Sequence, residues 1–311
     1  MKLLKYLRAG GRYLTDPKYR FRLNAALGKY NHMSDEEYLK KLFYASMGKT
    51  LNLDNPQTFN EKLQWLKLYN RKPEYTMMVD KYKVREYIAQ KLGTEYLISL
   101  LGVWNTPEEI DFNKLPDKFV LKCNHNSGLG MYICQDKSKM DVGQVKKELW
   151  KGLKQEYYLT GREWPYKKVK RKIIAEKYME DDAVHELRDY KFFCFNGEPR
   201  ITLVCTDRFS LDGLKEDFFD SNWTHLPMQR PTHANASELI PKPKSYDLMV
   251  HFAEELSKEM PFLRVDFYDI NGHVYFGELT FFPASGLEKF EPEEWDERLG
   301  SWIKLPKKEL L

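Results

Sequence analysis

The hydrophobic period of this 311-residue sequence changes near residue 118. Before that point apolar residues recur every three or four positions, and two capping boxes, Ser34 with Glu37 and Thr58 with Glu61, mark helix starts. After it, apolar and polar residues alternate in short runs that end at turn residues. The succession of these two periods predicts an α+β fold, in which helices come first and antiparallel sheets follow.

The part of the chain after residue 118 contains predicted strands, helices and hairpins. They are strands at 118–124, 131–135 and 173–179, helices at 142–158 and 245–260, and hairpins that turn at Asn196-Gly197 and Asn271-Gly272. We expect three regions: a mainly helical N-terminal region over 1–103, a central lobe over 104–180 and a C-terminal lobe over 181–311.

Composition narrows the class of protein. The 50 basic and 46 acidic residues leave a formal charge of only +4, which gives no reason to expect nucleic acid as a partner. No apolar run reaches the ~20 residues that a membrane-spanning helix needs, and the apolar stretch at the basic start of the chain is too interrupted for a signal peptide.

The four cysteines show no C-x-x-C spacing, so we expect free thiols and a cytoplasmic protein. Weak membrane-surface contact through Leu3, Leu4 and Leu7 of the basic N-terminus is a further option.

A lysine before a loop of small residues is the first candidate site. Lys122 stands near the end of a predicted strand, and residues 124–130 (NHNSGLG) follow it. Its ammonium group would supply charge to a phosphate while backbone N–H groups of the loop surround the oxygens. A solvated surface lysine is the alternative interpretation, and His125 within the loop is most simply incidental.

The last predicted hairpin carries polar side chains among apolar ones. Arg264 and Asp266 alternate onto one strand face, and Glu278 and Thr280 do the same on the next strand. A two-residue turn would place Glu278 on the opposite sheet face from Asp266, whereas a three-residue turn with Gly272 left-handed brings all four together. We expect the three-residue turn. Mg²⁺ bridging phosphates suits such paired carboxylates, and an ion pair on a wet sheet face is the alternative.

The predicted strand over 173–179 ends in Glu176, Lys177, Tyr178 and Met179. Backbone groups that leave a buried strand can hydrogen-bond an adenine edge, and Tyr178 or Met179 can pack on its face. This pattern is common in proteins, so it indicates a nucleotide site only in combination with the other candidate sites in the sequence.

In this order the pieces resemble the ATP-grasp superfamily, and the whole chain is similar to the TupA-like ATP-grasp family of bacterial surface-polysaccharide loci. The resemblance extends over roughly residues 10–305. It is carried by residues 55–65 (NPQTFNEKLQW), 80–87 (DKYKVREY), 119–124 (FVLKCN), 189–199 (DYKFFCFNGEP) and 276–281 (FGELTF).

The resemblance implies a fold of two α+β lobes that clasp ATP, with ATP and Mg²⁺ as cofactors. By role, the implied site residues are Lys81 and Lys122 for phosphate, Asn126, Ser127 and Gly128 for a lid loop, Glu176, Lys177, Tyr178 and Met179 for an adenine hinge, Arg264 and Lys191 for catalysis, and Asp266, Glu278 and Thr280 for the metal. The superfamily usually has Asn where this chain has Thr280, although a hydroxyl can still bind magnesium. The ribose-binding acid stays open among Asp181, Asp182 and Glu186.

The resemblance also implies an activity, that of a carboxylate–amine ligase working through an acyl phosphate. The acid would be a uronic acid of a capsular or teichuronic polysaccharide or its precursor, and the amine an amino acid or amino alcohol. An anionic glycan or a lipid-linked precursor would be a partner. Lys191 would contact phosphate or the substrate carboxylate, with a surface ion pair as the alternative.

Several points stay open in the sequence. Residues 206–209 and 220–225 could line an acceptor groove, and the basic run 167–172 is either a solvated edge or a surface that steers an acidic glycan. The rival functions are a glycosyltransferase, for which no D-x-D motif is present, a sugar kinase, and a non-catalytic binding module.

Overall fold

The computed structural model describes residues 11–181, 187–208, 210 and 213–308. Leu3, Leu4 and Leu7 of the N-terminus, and the ribose candidates Asp182 and Glu186, lie outside the described residues. The α-helices in the described part are α1 Pro17–Ala26, α2 Asp35–Met47, α3 Phe59–Tyr69, α4 Tyr75–Val79, α5 Val84–Lys91, α6 Val142–Lys154, α7 Tyr157–Gly161, α8 Tyr246–Ser257 and α9 Glu294–Trp302. The strands are β1 Leu100–Trp104, β2 Phe119–Cys123, β3 Tyr132–Cys134, β4 Ile173–Lys177, β5 Asp189–Phe195, β6 Glu198–Thr206, β7 Lys215–Asp220, β8 Phe262–Ile270 and β9 His273–Thr280.

These strands form two antiparallel sheets. The first has the order β1-β4-β2-β3 and the second the order β7-β6-β5-β8-β9. Helices α1 to α5 precede every strand, so the predicted α+β arrangement is confirmed. Strands β1 (LLGVW) and β7 (KEDFFD) were not predicted, because the first lacks alternation and the second is mostly charged. The predicted region boundaries near residues 103 and 180 stay predictions.

Local sequence signals set several element ends. The Ser34 hydroxyl accepts a hydrogen bond from the Glu37 N–H at the start of α2, and Thr58 with Glu61 forms the predicted capping box of α3. The helix expected over 142–158 ends earlier, at Lys154, and a separate short helix follows.

The last hairpin turns through two residues. Asn271 and Gly272 both have left-handed backbone conformations, with φ of 54° and 79°, and Ile270 pairs with His273 across the turn. The expected three-residue turn is therefore wrong, although Gly272 has the positive φ that was expected. An Asn-Gly pair favours the two-residue turn because both residues tolerate this conformation.

Helix α3 turns a polar face towards the C-terminal part of the chain. Four of its residues, here called the α3 clamp, donate hydrogen bonds to backbone carbonyl oxygens there. They are Asn60 to Glu288 (2.7 Å), Lys62 to Gly300 (2.8 Å), Gln64 to Gly286 (2.6 Å) and Lys67 to Ser285 (2.7 Å). The clamp thus ties α3 to the segment that follows β9.

Two members of the α3 clamp hold a left-handed turn in that segment. Ala284, Ser285 and Gly286 have φ of 46°, 56° and 61°, and a left-handed conformation costs a non-glycine residue roughly 1–2 kcal/mol. Gln64 and Lys67 bind the carbonyl groups of this turn and so offset the strain. Burial lowers the pKa of Lys67 to about 8, since its ammonium group meets dipoles rather than water.

The apolar residues form two cores. The larger lies among the N-terminal helices, the second sheet and α8, and the smaller lies between the first sheet and α6. All four cysteines are buried and unpaired by disulfides, as predicted. Among the described residues, no helix has the length and apolar character to cross a membrane.

Candidate active site

A cavity of about 360 Å³, here called the site cavity, lies between the loop after β2 and the second sheet. Nine predicted site residues line it: Lys81, Lys122, Asn126, Ser127, Gly128, Lys191, Arg264, Asp266 and Glu278. Five others do not: Glu176, Lys177, Tyr178, Met179 and Thr280. Residues almost 200 positions apart in the sequence therefore converge on one cavity, while their individual roles stay predictions.

A bulge in β9 brings the two predicted metal carboxylates onto one face. The strand register shifts by one residue between Asp266 and the next residue, so Asp266 pairs with Glu278 and Arg264 with Thr280. Gly277 is the extra residue, and a Cβ there would lie 3.0 Å from the carbonyl oxygen of Asp266. The shared face was expected from a longer turn; the physical reason is instead a glycine bulge beside the site.

Arg264 connects both carboxylates. Its Nε and Nη2 donate to the two oxygens of Asp266 at 2.7 Å each, and Nη2 also donates to Glu278 at 2.8 Å. Burial alone would lower the pKa of Arg264, but the charges of Asp266 and Glu278 outweigh it and raise the pKa. Burial would raise the pKa of Glu278, yet nearby cations led by Lys81 and Arg264 hold it at about 2. Arg264 and Glu278 are therefore charged near neutral pH, whereas burial raises the pKa of Asp266 against the opposing effect of Arg264 and Lys191.

Lys191 extends this network across the sheet. Its ammonium nitrogen lies 2.5 Å from carboxylate oxygens of both Asp266 and Asp189. Arg208 donates to the same Asp189 oxygen at 2.8 Å, while the other oxygen, Oδ1, is buried without a hydrogen-bond partner in the described part of the chain. Asp189 and Arg208 line the site cavity; Arg208 belongs to a segment that was expected to line an acceptor groove, whereas Asp189 was not predicted as a site residue. The Asp-x-Lys spacing on one strand face could have identified Asp189.

Two lysines approach from the other side of the site cavity. Lys81 donates to the backbone oxygen of Asn126 at 2.7 Å and lies 3.9 Å from Glu278. Burial lowers its pKa. Lys122 forms an ion pair of 2.6 Å with Glu176, which also lies 3.5 Å from Arg85. Two cations thus face the carboxylates of the second sheet across the site cavity.

The predicted hinge residues lie beside this arrangement. The Glu176 side chain is buried and holds Lys122, so a nucleotide would meet the backbone at this position. Lys177 is exposed, and its N–H donates to Ser99. Tyr178 accepts a hydrogen bond from Gln135 at 2.9 Å. Met179 is half-buried, and the hinge assignment stays a prediction.

The donor set for a metal is two carboxylates on neighbouring strands and one hydroxyl. Oxygen ligands of this kind suit Mg²⁺. Asp266 and Glu278 are neutralised by Arg264 and Lys191 in this structure, so their positions already favour positive charge. No group of three or more His, Cys, Asp or Glu side chains suited to a metal occurs within the described ranges. Asp266, Glu278 and Thr280 are the oxygen donors that would hold a divalent cation here, and their assignment as metal ligands stays a prediction.

A second polar cluster borders the site cavity and was missed in the sequence. Glu216 of β7 lines the site cavity, and Arg230 lies 3.0 Å from it and 3.0 Å from Glu288. His233 lies 3.4 Å from Glu216. The segment expected to line an acceptor groove, residues 220–225, does not line the site cavity, whereas Arg208 of the segment 206–209 does.

Asp181, one of the three candidates for the ribose-binding acid, lies at the turn between β8 and β9, and its role stays a prediction. Its carboxylate accepts a hydrogen bond from the Asn271 N–H at 2.6 Å and so holds the hairpin turn. His125, judged incidental from the sequence, is buried, and burial lowers its pKa to about 4, so it is neutral near pH 7.

Comparison with known proteins gives one match of family level. A family model described as TupA-like ATPgrasp matches residues 61–304. A search of curated proteins finds no significant sequence match.

Similar solved structures include three enzymes. The D-alanine–D-alanine ligase from Bacillus anthracis complexed with ATP is 15% identical, with 66% of this chain and 54% of that chain covered and a TM-score of 0.39. The D-alanine–D-alanine ligase from Helicobacter pylori is 13% identical, with 79% and 69% covered and a TM-score of 0.42. The biotin carboxylase domain of the Hydrogenobacter thermophilus 2-oxoglutarate carboxylase is 14% identical, with 75% and 47% covered and a TM-score of 0.41. The chain spans about half the length of the first of these proteins.

Proposed function

Because the chain belongs to the TupA-like ATP-grasp family, we propose that it is an ATP-dependent carboxylate–amine ligase. The α+β ATP-grasp fold expected from the resemblance is confirmed with the family. We further propose that the acid is a uronic acid of a capsular or teichuronic-type polysaccharide or its precursor. The amine would be an amino acid or amino alcohol, and the reaction would take place in the cytoplasm.

One observation supports this proposal above the others: Arg264 binds Asp266 and Glu278 in a cavity that three lysines also line. A carboxylate that attacks a phosphate must approach a group of its own charge. Lys81, Lys122 and Lys191 would neutralise that charge. Mg²⁺ held by Asp266, Glu278 and Thr280 would add further positive charge at the phosphate oxygens.

The proposed reaction has two steps. A uronate oxygen attacks the γ-phosphorus of ATP, the bond from phosphorus to the bridging oxygen breaks, and ADP leaves. The amine nitrogen then attacks the acyl carbon, loses a proton, and expels phosphate, which leaves the amide. Arg264 would donate to the oxyanion that forms on the acyl oxygen, and Lys191 would hold the transferred phosphoryl group.

The test is ADP release from ATP with hexuronates crossed against amines, with mass spectrometry of the products. Hydroxylamine at high concentration should replace the amine and trap the acyl phosphate as a hydroxamate. Neutral hexoses serve as the matched control and should give no hydroxamate. ATP turnover that needs no carboxylate would contradict the proposal.

The rival functions give different products in the same assay. A sugar kinase would leave a phosphorylated sugar and would not respond to hydroxylamine. A glycosyltransferase would release a nucleoside diphosphate from a sugar nucleotide without consuming ATP. A non-catalytic binding module would consume neither ATP nor a sugar nucleotide.

A further inference from the structure

The charge of the chain is concentrated in one segment. Residues 142–172 contain ten Lys and Arg residues and three Glu residues, a formal charge of +7. The rest of the chain has 40 basic and 43 acidic residues, a formal charge of −3. The modest overall charge therefore conceals a strongly basic segment.

The fold gathers this segment on one side of the first sheet. Helix α6 buries its apolar residues, such as Val145 and Leu149, in the smaller core. The guanidinium group of Arg171 donates to the backbone oxygen of Leu153 at 2.9 Å, which places the run 167–172 beside the end of α6. The exposed lysines on this side, here called the basic face, are Lys147, Lys151, Lys154, Lys167, Lys168 and Lys170.

Most of this charge is not neutralised by the protein. Lys151 lies 2.5 Å from Glu148. Within the described ranges, no carboxylate lies within 4.0 Å of Lys147, Lys154, Lys168 or Lys170. The basic face therefore presents a positive potential to the solvent, and a polyanion would lower its free energy.

Aromatic rings lie between these lysines. The ammonium group of Lys154 is 5.5 Å from the centre of the Trp150 ring, and that of Lys167 is 5.1 Å from the centre of the Tyr158 ring. Trp150 also lines, with three lysines, a shallow depression of about 460 Å³. The apolar face of a sugar ring packs on such a ring, while a carboxylate on the same sugar reaches a neighbouring lysine.

These features fit an acidic polysaccharide better than a membrane. The Trp150 Nε1 donates to Glu108 at 3.0 Å, which holds the ring against the protein instead of leaving it free to insert into lipid. The apolar side of α6 is already buried in the core. A membrane-binding helix would expose that side.

We propose that the basic face is a docking surface for an acidic polysaccharide, with uronate carboxylates on the lysines and sugar rings on Trp150 and Tyr158. The inference rests on the proposed function and deepens it, since it makes the acid substrate a polymer rather than a nucleotide sugar. Asn126, which lines the site cavity, donates to the Gly152 oxygen of α6 at 3.3 Å, so docking on α6 would raise the local concentration of uronate groups at the site cavity.

The test uses the full chain and polygalacturonate, with dextran of the same length as the neutral control. Binding is measured by affinity electrophoresis and by biolayer interferometry at 50 and 300 mM NaCl, without ATP. The triple variant K147Q/K151Q/K154Q should bind at least about tenfold more weakly than the unaltered chain, and the higher salt should abolish most of the binding. The matched control K40Q/K41Q/K49Q removes three exposed lysines elsewhere and should stay within twofold.

Equal weakening in the two triple variants would overturn the inference, because general charge would then explain binding. Tighter binding of anionic vesicles or of an oligonucleotide to the same lysines would also overturn it. Circular dichroism establishes that both variants fold, and K168Q/K170Q gives an independent pair on the same face with the same expected direction.

The inference and the proposed function fail in different ways. Polygalacturonate binding that depends on the basic face, without hydroxamate formation from any uronate, supports the docking surface and contradicts the ligase. Hydroxamate formation from free galacturonate, without polymer binding, supports the ligase and contradicts the docking surface. The triple variant should form hydroxamate from free galacturonate at an unchanged rate.

Discussion

The site cavity and the basic face are both rich in cationic side chains. These side chains are buried and paired with carboxylates in the site cavity, whereas they are exposed and mostly unpaired on the basic face. In the site cavity, Arg264 and Lys191 contact Asp266 at 2.7 and 2.5 Å, and all three are largely buried. On the basic face, the lysines are exposed and mostly unpaired. Buried charges depend on their partners, whereas exposed charges act almost independently. The buried ion pairs hold the side chains of the site cavity in one geometry, whereas the exposed lysines give the basic face a positive electrostatic potential.

The largest loss of stability is expected at Asp266, which forms the closest ion pairs in the site cavity. Asp266→Asn preserves the shape but deprives Arg264 and Lys191 of a buried charge, so the free energy of unfolding should fall by about 3–5 kcal/mol. Urea unfolding measures this. Asp269→Asn is the matched control on the same strand, because its carboxylate accepts one hydrogen bond from the Ser245 hydroxyl, and it should lose about 1 kcal/mol. Equal losses would mean that the Asp266 network is not cooperative.

The next effect concerns nucleotide affinity. Lys122→Ala removes a cation that lines the site cavity, and ATP should bind about 2 kcal/mol more weakly, roughly thirtyfold in Kd. Lys118→Ala is the control, since Lys118 lies next to the same strand but pairs with Glu180 at 3.7 Å and does not line the site cavity. Calorimetric titration compares them. If folded Lys122→Ala bound ATP with unchanged affinity, Lys122 would not be a nucleotide-binding residue.

A smaller effect should appear as a pH dependence. The pKa of Lys67 is about 8 in the folded protein and 10.5 in an ordinary lysine, so the unfolded chain binds more protons between these values. Stability from this group should therefore rise with pH across that window, on the order of 1–3 kcal/mol.

The difference between the chain and Lys67→Met isolates that rise, measured by urea unfolding at pH 7.5 and 9.5. Lys62→Met is the control because it removes another member of the α3 clamp and keeps Lys67; burial also lowers the pKa of Lys62, so the rise should become smaller but persist. A rise that survives in Lys67→Met would have to come from other groups.

The smallest effects are expected on the basic face. Lys147→Gln, Lys151→Gln and Lys154→Gln should each change the free energy of unfolding by less than about 0.5 kcal/mol, and their effects should add. Thermal unfolding of the single and triple variants checks this. A loss above 1 kcal/mol at any of them would show that the charge is part of the packed structure.

The sequence was sufficient for features that depend on near neighbours. The Ser34 N-cap and the Thr58–Glu61 capping box form because their partners are three residues apart, and the hairpin at Asn271-Gly272 was located correctly although its turn is shorter than expected. The α+β order follows from hydrophobic period alone. The residues that line the site cavity were found largely through a family resemblance.

Features that depend on distant partners could not be predicted. The bulge at Gly277 replaces the expected longer turn, and only the register of β8 against β9 reveals it. Arg230 and Glu216 meet through a loop with no regular pattern. The hydrogen bonds made by the polar residues of α3 have no local sequence signal, because their acceptors lie more than 200 residues further along the chain.

The distance in sequence between α3 and its carbonyl acceptors affects the order in which the protein folds during synthesis. Lys67 and Ser285 are separated by 218 residues, and Lys62 and Ile303 by 241. At translation rates of about 5–20 residues per second, these donors of α3 are synthesised roughly 11–48 s before their acceptors. Contacts of such high sequence separation also form slowly. During that interval the donors of α3 bind water, and the left-handed turn after β9 gains its bonds from Gln64 and Lys67 only once residues 285 and 286 have been made.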